Sequence, residues 1–291
     1  MNAEKNWKAE KLTKITTGIT FDLKSRKDEA KALLISDAHW DHPACVRKLY
    51  NRHIQQAVDI GAPILYNGDT LCLMQTTSDR RQKKGDTREE HDEQDYFRAV
   101  CKDFAAQHEH AAKNIAMLGY GNHETAPLKW CSVDSVELLA DHLQLRTGNR
   151  PVVGGYRGWV AFRVKRSGTS MDRPINMYYN HGAGGGGPVT KGVIKTNRHN
   201  AFLDGADLVW MGHIHEQWNV NTPVIGINNR GREYNRPRWH VCTPGYKEEF
   251  MGHKLGFHHE GDRPPKPIGA AWLTIYQDKD QLKTEVTPTR I

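Results

Sequence analysis

Five times along this chain an apolar run stops on an Asp, Asn or His, and that recurrence constrains the fold more than any other feature. The runs are "KALLISD" (31–37), "APILYNGD" (62–69), "NIAMLGYGNHE" (114–124), "INMYYNHG" (175–182) and "DLVWMGHIH" (207–215). A short apolar run closed by a polar cluster reads as a buried strand at its carboxyl end. In α/β proteins, sites collect at the carboxyl ends of strands, so the five polar ends are candidates for one shared site. After the first run, Pro43 opens a helix to about Ile60, with Val46, Leu49, Tyr50, Ile54 and Val58 near helical spacing.

Between the second and third runs lies a charged insert, at about 76–113. Phe97, Val100, Cys101, Phe104 and His108 recur at helical spacing, which predicts one amphipathic helix from about Thr87 to Lys113. Arg80, Arg81, Lys83 and Lys84 precede it as an exposed loop. After residue 150 the texture changes to short strands rich in Trp and Val: "GGYRGWVAFRV", "WNVNTPVIGI", "RPRWHVCTPG" and "GAAWLTIY". A Pro-rich loop is expected at about 247–268. With no internal repeat and no low-complexity linker, residues 1–291 read as a single domain.

The bulk numbers exclude several classes. No apolar run approaches the ~20 residues of a membrane span. The N-terminal "MNAEKNWKAEKLTK" has no apolar signal core, so a cytoplasmic location and no membrane partner are expected. Five cysteines, never in C-x-x-C spacing, suit reduced thiols better than a disulfide framework or a zinc knuckle. The formal net charge of +7 suits a polyanionic partner without proving one. Sixteen histidines, several beside Asp, Asn or Gly, point to metal chemistry.

The stretch "LLISDAHWDHPACV" (33–46) sharpens that hint. Asp37, His39, Asp41 and His42 spell D-x-H-x-D-H, one residue away from the H-x-H-x-D-H zinc signature of metallo-β-lactamase-type hydrolases. The same letters are the D-x-H opening of two-metal phosphoesterases. The lactamase-type reading needs His at 37, where Asp stands, and leaves the later motifs unexplained. Those motifs are G-D at 68–69, G-N-H-E at 121–124, N-H-G at 180–182 and G-H-x-H at 212–215. Each alone is weak; a lone buried His is more often a satisfied core residue than a ligand. In order, one set per strand end, they resemble the calcineurin-like metallophosphoesterase family, over positions 33–215 and onward.

That resemblance implies an α/β fold, a four-layer αββα sandwich of two mixed β-sheets flanked by helices. It implies two divalent metal ions, roughly 3.5–4 Å apart, that clamp a phosphate and share an attacking bridging hydroxide. The first ion would sit on Asp37, His39, Asp69 and His215, and the second on Asp69, Asn122, His181 and His213. Asp69 would be the bridging carboxylate and His123 the general acid on the leaving oxygen, a role suited to imidazole near neutrality. The i,i+2 spacings at 37/39 and 213/215 place both side chains on one side of an extended segment. Imidazole with carboxylate and amide oxygen suits Mn first, then Fe, Zn, Co or Ni, better than Mg or Ca.

Asp41 and His42 are surplus to this ligand count. They read as a helix-start cap around Pro43, or as groups that orient the ligands or contact substrate. Many relatives have G-D-x-x-D, whereas here "GDTLCLM" puts Cys72 at the second Asp, so the partner of His123 is unknown. "GAGGGG" (182–187) is neither a dinucleotide loop nor a Walker A; with Lys191 it is a candidate phosphate contact or a structural loop. "HEHAA" and "HKLGFHHE" lack ligand spacing.

The substrate expected is a phosphate ester: first a phosphodiester of DNA, RNA or a nucleotide, with a phosphomonoester as the alternative and a non-catalytic nucleic-acid-binding module third. Candidate contacts are Arg80, Arg81 and Lys191, beside a basic set of Lys195, Arg198, Arg230, Arg232, Arg236 and Arg238. Trp218, Tyr234 and Trp239 are interleaved with it as stacking groups. The charged insert, "TPGY" (243–246) and the Pro-rich flap are similar to phage and prophage members of the family, implying a setting in phage DNA metabolism.

Overall fold

The computed structural model describes residues 5–74, 87–166, 173–185, 190, 192–251, 264–279 and 281–290. Arg80, Arg81, Lys191 and most of the Pro-rich loop lie outside the described residues. In chain order the elements are β1 (Trp7–Thr13), β2 (Thr16–Leu23), β3 (Ala30–Ile35), α1 (Arg47–Asp59) and β4 (Ile64–Tyr66). Then come α2 (Tyr96–Gln107), β5 (Ile115–Leu118), α3 (Asn122–Cys131), α4 (Ser135–Thr147), β6 (Val152–Val153), β7 (Arg157–Arg166) and β8 (Ile175–Asn180). The last are α5 (Val193–Phe202), β9 (Leu208–Met211), β10 (Trp218–Ile227), β11 (Glu233–Cys242), β12 (Ala271–Asp278) and β13 (Gln281–Pro288).

These strands form two mixed sheets, in the orders β1-β2-β7-β8-β9-β11-β10 and β13-β12-β3-β4-β5-β6. Alternation along each strand divides the apolar residues between two cores. From β3, Leu34 joins Leu65 and Met117 of its own sheet against Phe162, Met177, Leu208 and Trp210 of the other. Its neighbours Leu33 and Ile35 turn to the opposite face, under Leu49, Tyr50 and Ile54 of α1, Phe104 of α2 and Leu139 of α4. A strand buried on both faces reads as an unbroken apolar run, which is why the periodicity of 2 is invisible in "KALLI". On the outer face of the other sheet, Leu203 and Ala206, at the end of α5, cover Tyr178 and Val209. Each such side chain contributes about 1.5–3 kcal/mol of burial. The result is the αββα sandwich, with two mixed β-sheets packed face to face and helices outside.

All five polar-ended runs are strands with a shared carboxyl edge: β3, β4 and β5 run parallel in one sheet, β8 and β9 parallel in the other. Two helices differ from the sequence expectation. α1 begins at Arg47 instead of Pro43, because residues 41–45 turn back on themselves, with Cys45 N–H donating to His42 O. The expected helix over 87–113 is broken: a single turn spans Glu89–His91, α2 covers only Tyr96–Gln107, and a tighter helix spans Glu109–Asn114. The physical reason is tertiary anchoring. Arg88 donates to the His42 carbonyl, Glu90 pairs with Arg47, and His91 bonds Asp103, so the first turns are held against the loop after β3 instead of along one axis. The β1–β2 hairpin and β13 carried no sequence signal; β1, "WKAEKLT", is mostly exposed and charged.

Candidate metal centre

At the shared edge, the loops leaving the strands are forced into left-handed turns. Asp37, His39, Asp69, His213 and His215 have φ of 54°, 44°, 49°, 71° and 52°. Non-glycine residues adopt this region at a cost, and such strain clusters where side chains must be aimed. The expectation of an extended segment at 37/39 and 213/215 is therefore corrected: the side chains converge through tight turns, not through strand alternation. Glycines permit the close approach of these loops. A Cβ on Gly121 would stand 2.0 Å from Asp69 Oδ1, and one on Gly212 would stand 2.5 Å from Asp37 Oδ2.

Six of the seven predicted ligands resolve into two trios whose donor atoms lie within 4.8 Å of one another: Asp37, His39 and His215, and Asp69, His181 and His213. The seventh, Asn122, opens α3 beside His123, whose N–H donates to Asp69 Oδ1 at 3.0 Å. Asp69, a member of the second trio, also approaches the first. Its Oδ2 is 3.1 Å from His181 Nε2, 3.8 Å from His123 Nε2 and 4.0 Å from His39 Nε2. Asp37 Oδ1 is 3.4 Å from His215 Nε2 and 4.0 Å from His181 Nε2, while its two oxygens accept from the His213 N–H.

The electrostatics of this donor set suit cations. Asp37 and Asp69 are 0% and 2% exposed. Burial alone would raise both carboxyls, but His215 and His181 hold Asp37 low, and His181 and His123 hold Asp69 well below the carboxylate range. Burial opposes protonation of His181, yet Asp69 lifts it to about 10. His39 is driven well below its ordinary value by burial and by His123, and the Nε2 atoms of His39 and His215 face each other at 3.2 Å. Two ring nitrogens at that spacing call for a proton or a cation between them. Divalent cations held by these residues would answer both needs, since imidazole binds a metal through its unprotonated nitrogen. His181 Nδ1 donates to the Asn67 carbonyl at 2.6 Å, which leaves Nε2 for the site.

The partner of His123 is a backbone atom: Nδ1 donates to the Cys72 carbonyl at 2.6 Å. Asp41 holds that loop in place. Its Oδ1 accepts from Cys72 N–H at 2.5 Å, and its Oδ2 accepts from Leu73 N–H at 3.0 Å and Tyr96 O–H at 2.8 Å. Neither Asp41 nor His42 caps α1, whose N-terminus at Val46 has no side-chain cap. Asp41 is buried and turned to the main chain of the Cys72 loop and to Tyr96, and His42 Nδ1 accepts from Ala44 N–H in the turn. Glu124, which sequence reasoning left without a role, ties two loops from the first turn of α3: it accepts from the N–H groups of Asp69 and Leu71 after β4 and of Gly121 after β5. Burial and Asp69 push its carboxyl up to about 7.

The basic and aromatic set is mostly committed elsewhere. Arg236 bonds Asp207 and the Ala206 carbonyl; Arg238, 4% exposed, bonds Ala206 O and Asn200. Trp218 packs on Met211, Ile214 and Cys242, and Trp239 on the inter-sheet core. Arg230 and Arg232 remain exposed at the β10–β11 turn. Burial first, and His181 next, lower the basicity of His213; of the nearby lysines, Lys195 donates to the Ala183 carbonyl at 2.8 Å and Lys247 pairs with Glu249 at 2.8 Å.

No protein-family model and no curated relative matches this chain. Among solved structures, it is similar to protein TM1076 of Thermotoga maritima (12% identity, TM-score 0.32, covering 89% of this chain and 99% of that one). It is also similar to Vacuolar Protein Sorting 29 of Cryptosporidium parvum (10%, 0.35, 90% and 98%) and to Vps29 of Entamoeba histolytica, solved with Zn2+ (8%, 0.32, 89% and 98%). Likeness at this level is distant, and the centre is read from its own geometry. No helix among the described residues is long and apolar enough to cross a membrane.

Proposed function

We propose that this protein is a two-metal phosphoester hydrolase. The observation that carries the reading is the pair of Asp/His trios, two residues of each buried, with Asp69 of one trio 4.0 Å from His39 of the other. Two divalent cations, when bound, supply Lewis-acid charge to a phosphate and make water a nucleophile at neutral pH. Asp37, His39 and His215 would hold one, and His181, His213 and Asn122 the other, with Asp69 shared. Mn is the ion proposed, with Fe, Zn, Co or Ni as alternatives on the same imidazole-rich set. His123 supplies the proton: with Nδ1–H given to Cys72 O, only Nε2 is left to face the leaving oxygen.

The substrate class proposed is a nucleic-acid or nucleotide phosphodiester, with Arg80, Arg81 and Lys191, outside the described residues, as its proposed contacts; the exposed Arg230 and Arg232 stand at the opposite end of the β10–β11 hairpin, roughly 30 Å along it from the Trp218–Cys242 pair at the strand ends. A phage setting in the host cytoplasm accompanies that reading. The internal bonding of Arg236 and Arg238 favours a second one, a small nucleotide monoester that needs no long basic track. Mn-loaded protein assayed on bis-p-nitrophenyl phosphate, single-stranded DNA and mononucleotides separates the two. Cleaved diester supports the first; phosphate release with intact oligonucleotide supports the second; no turnover with any metal overturns hydrolysis itself.

A further inference from the structure

The side chain of Cys72 has no part in the hydrolytic scheme, although its main chain does. The Cys72 N–H is held by Asp41 at 2.5 Å and its carbonyl by His123 Nδ1 at 2.6 Å. Fixed from both sides, the residue presents Sγ within 4.8 Å of a ring nitrogen of His39 and one of His123, which lie equally near each other. All three residues are buried, and the two imidazoles meet edge to face with centroids 4.6 Å apart. His39 brings a second observation: its Nδ1 is buried with no hydrogen-bond partner among the described residues.

We infer that Cys72, His39 and His123 form a thiolate–bis-imidazole site for a soft divalent cation, Zn2+ or Cd2+, at the edge of the centre, drawing on the His39 assigned above to the Asp37 trio and so competing with the first ion for it. One sulfur and two imidazoles are a donor set that hard oxygen-seeking ions do not prefer. Tetrahedral bonds of about 2.0–2.3 Å bring such donors to roughly 3.5 Å from one another, a closure that side-chain rotation supplies. Binding exchanges the thiol S–H for an S–metal bond and releases one proton to solvent. The ion takes the ring lone pair of His123 that would carry the catalytic proton. Soft metal in excess therefore inhibits, and the aspartate that relatives carry at this position would lack the sulfur that attracts it.

The test is titration of the purified protein with Cd2+, following the thiolate-to-cadmium charge-transfer absorption in the ultraviolet. Cadmium on the Asp/His trios gives no such band, so the signal reports sulfur alone. The wild type is expected to gain a one-thiolate band that Cys72→Ser loses. His123→Asn, with the thiol intact, is expected to need at least about 10-fold more Cd2+ to reach half amplitude. A band of full size in Cys72→Ser, or an unmoved midpoint in His123→Asn, overturns the site. Because no hydrolysis is read, a protein that cleaves no ester still tests this inference.

Discussion

His123 Nδ1 lies 2.6 Å from the carbonyl oxygen of Cys72, a bond that closes between residues 51 positions apart. It fixes the ring with Nε2 toward Asp69 Oδ2 at 3.8 Å. A main-chain carbonyl thus orients the histidine where the sequence offered a cysteine in place of an aspartate. Asp41 supports the carbonyl in turn by accepting from the N–H of the same residue.

If Nε2 of His123 protonates the leaving oxygen, His123→Ala should slow esters with poor leaving groups by roughly 100-fold or more. It should barely affect p-nitrophenyl esters, whose leaving group departs unaided. The check is kcat on paired substrates with a nucleoside and a p-nitrophenolate leaving group. Equal losses on both remove the general acid.

Asp41→Ala strips the acceptor from two buried N–H groups and from the Tyr96 hydroxyl. A loss of about 2–4 kcal/mol in urea unfolding is expected. Released from Asp41, the Cys72 carbonyl no longer aims His123, so activity should fall more on poor leaving groups than on good ones. Asp41→Asn, which keeps one acceptor oxygen, should be intermediate in both measurements.

Asp69→Asn leaves a similar shape but removes the charge that the second trio presents to His39 of the first. A drop of about 3–4 kcal/mol in transition-state stabilisation, or roughly 100- to 1000-fold in kcat/KM, is expected, with less metal per chain in elemental analysis. Full activity in this variant would remove Asp69 from the centre.

His108 is buried and stacked on Phe104 with centroids 3.8 Å apart, and burial pushes it down to about 3. The unfolded chain binds a proton near pH 6.5, whereas the folded one resists until about 3. Its contribution is therefore complete above pH 6.5 and is lost progressively as pH falls from 6.5 toward 3. Between pH 6.5 and 5 this amounts to about 1–2 kcal/mol. Urea unfolding at both pH values should show a correspondingly smaller loss in His108→Leu than in the wild type.

Removal of metal by a chelator should abolish hydrolysis reversibly and lower the melting temperature. An ion held at 100 times its dissociation constant stabilises by about 2.7 kcal/mol. Thermal unfolding with and without Mn2+ reads this directly; a melting temperature indifferent to every divalent ion counts against the centre.

The residues that build the site were legible because their signal is local. An apolar run must end where its strand leaves the core, and Asp, Asn or His at that point is visible in a few letters. The αββα layering followed from the strand-rich second half taken with the family resemblance. The broken helix around α2 was not legible, since Arg88 and Glu90 are held by His42 and Arg47, more than 40 positions earlier, while His91 turns to Asp103. Arg236 and Arg238 resembled a polyanion-binding track because a sequence does not show that Asp207 and Asn200 lie beside them.

By itself, then, the sequence determined which groups stand at the strand ends, because burial and backbone direction are set within each short run. Only the tertiary structure decided how those groups are aimed: the left-handed turns at Asp37, His39, Asp69, His213 and His215, the carbonyl that holds His123, and the placement of the Cys72 thiol beside two imidazoles. Each of these depends on loops from distant parts of the chain pressing together at one edge of two sheets, where the backbone accepts strain because the packed core below leaves it no other path.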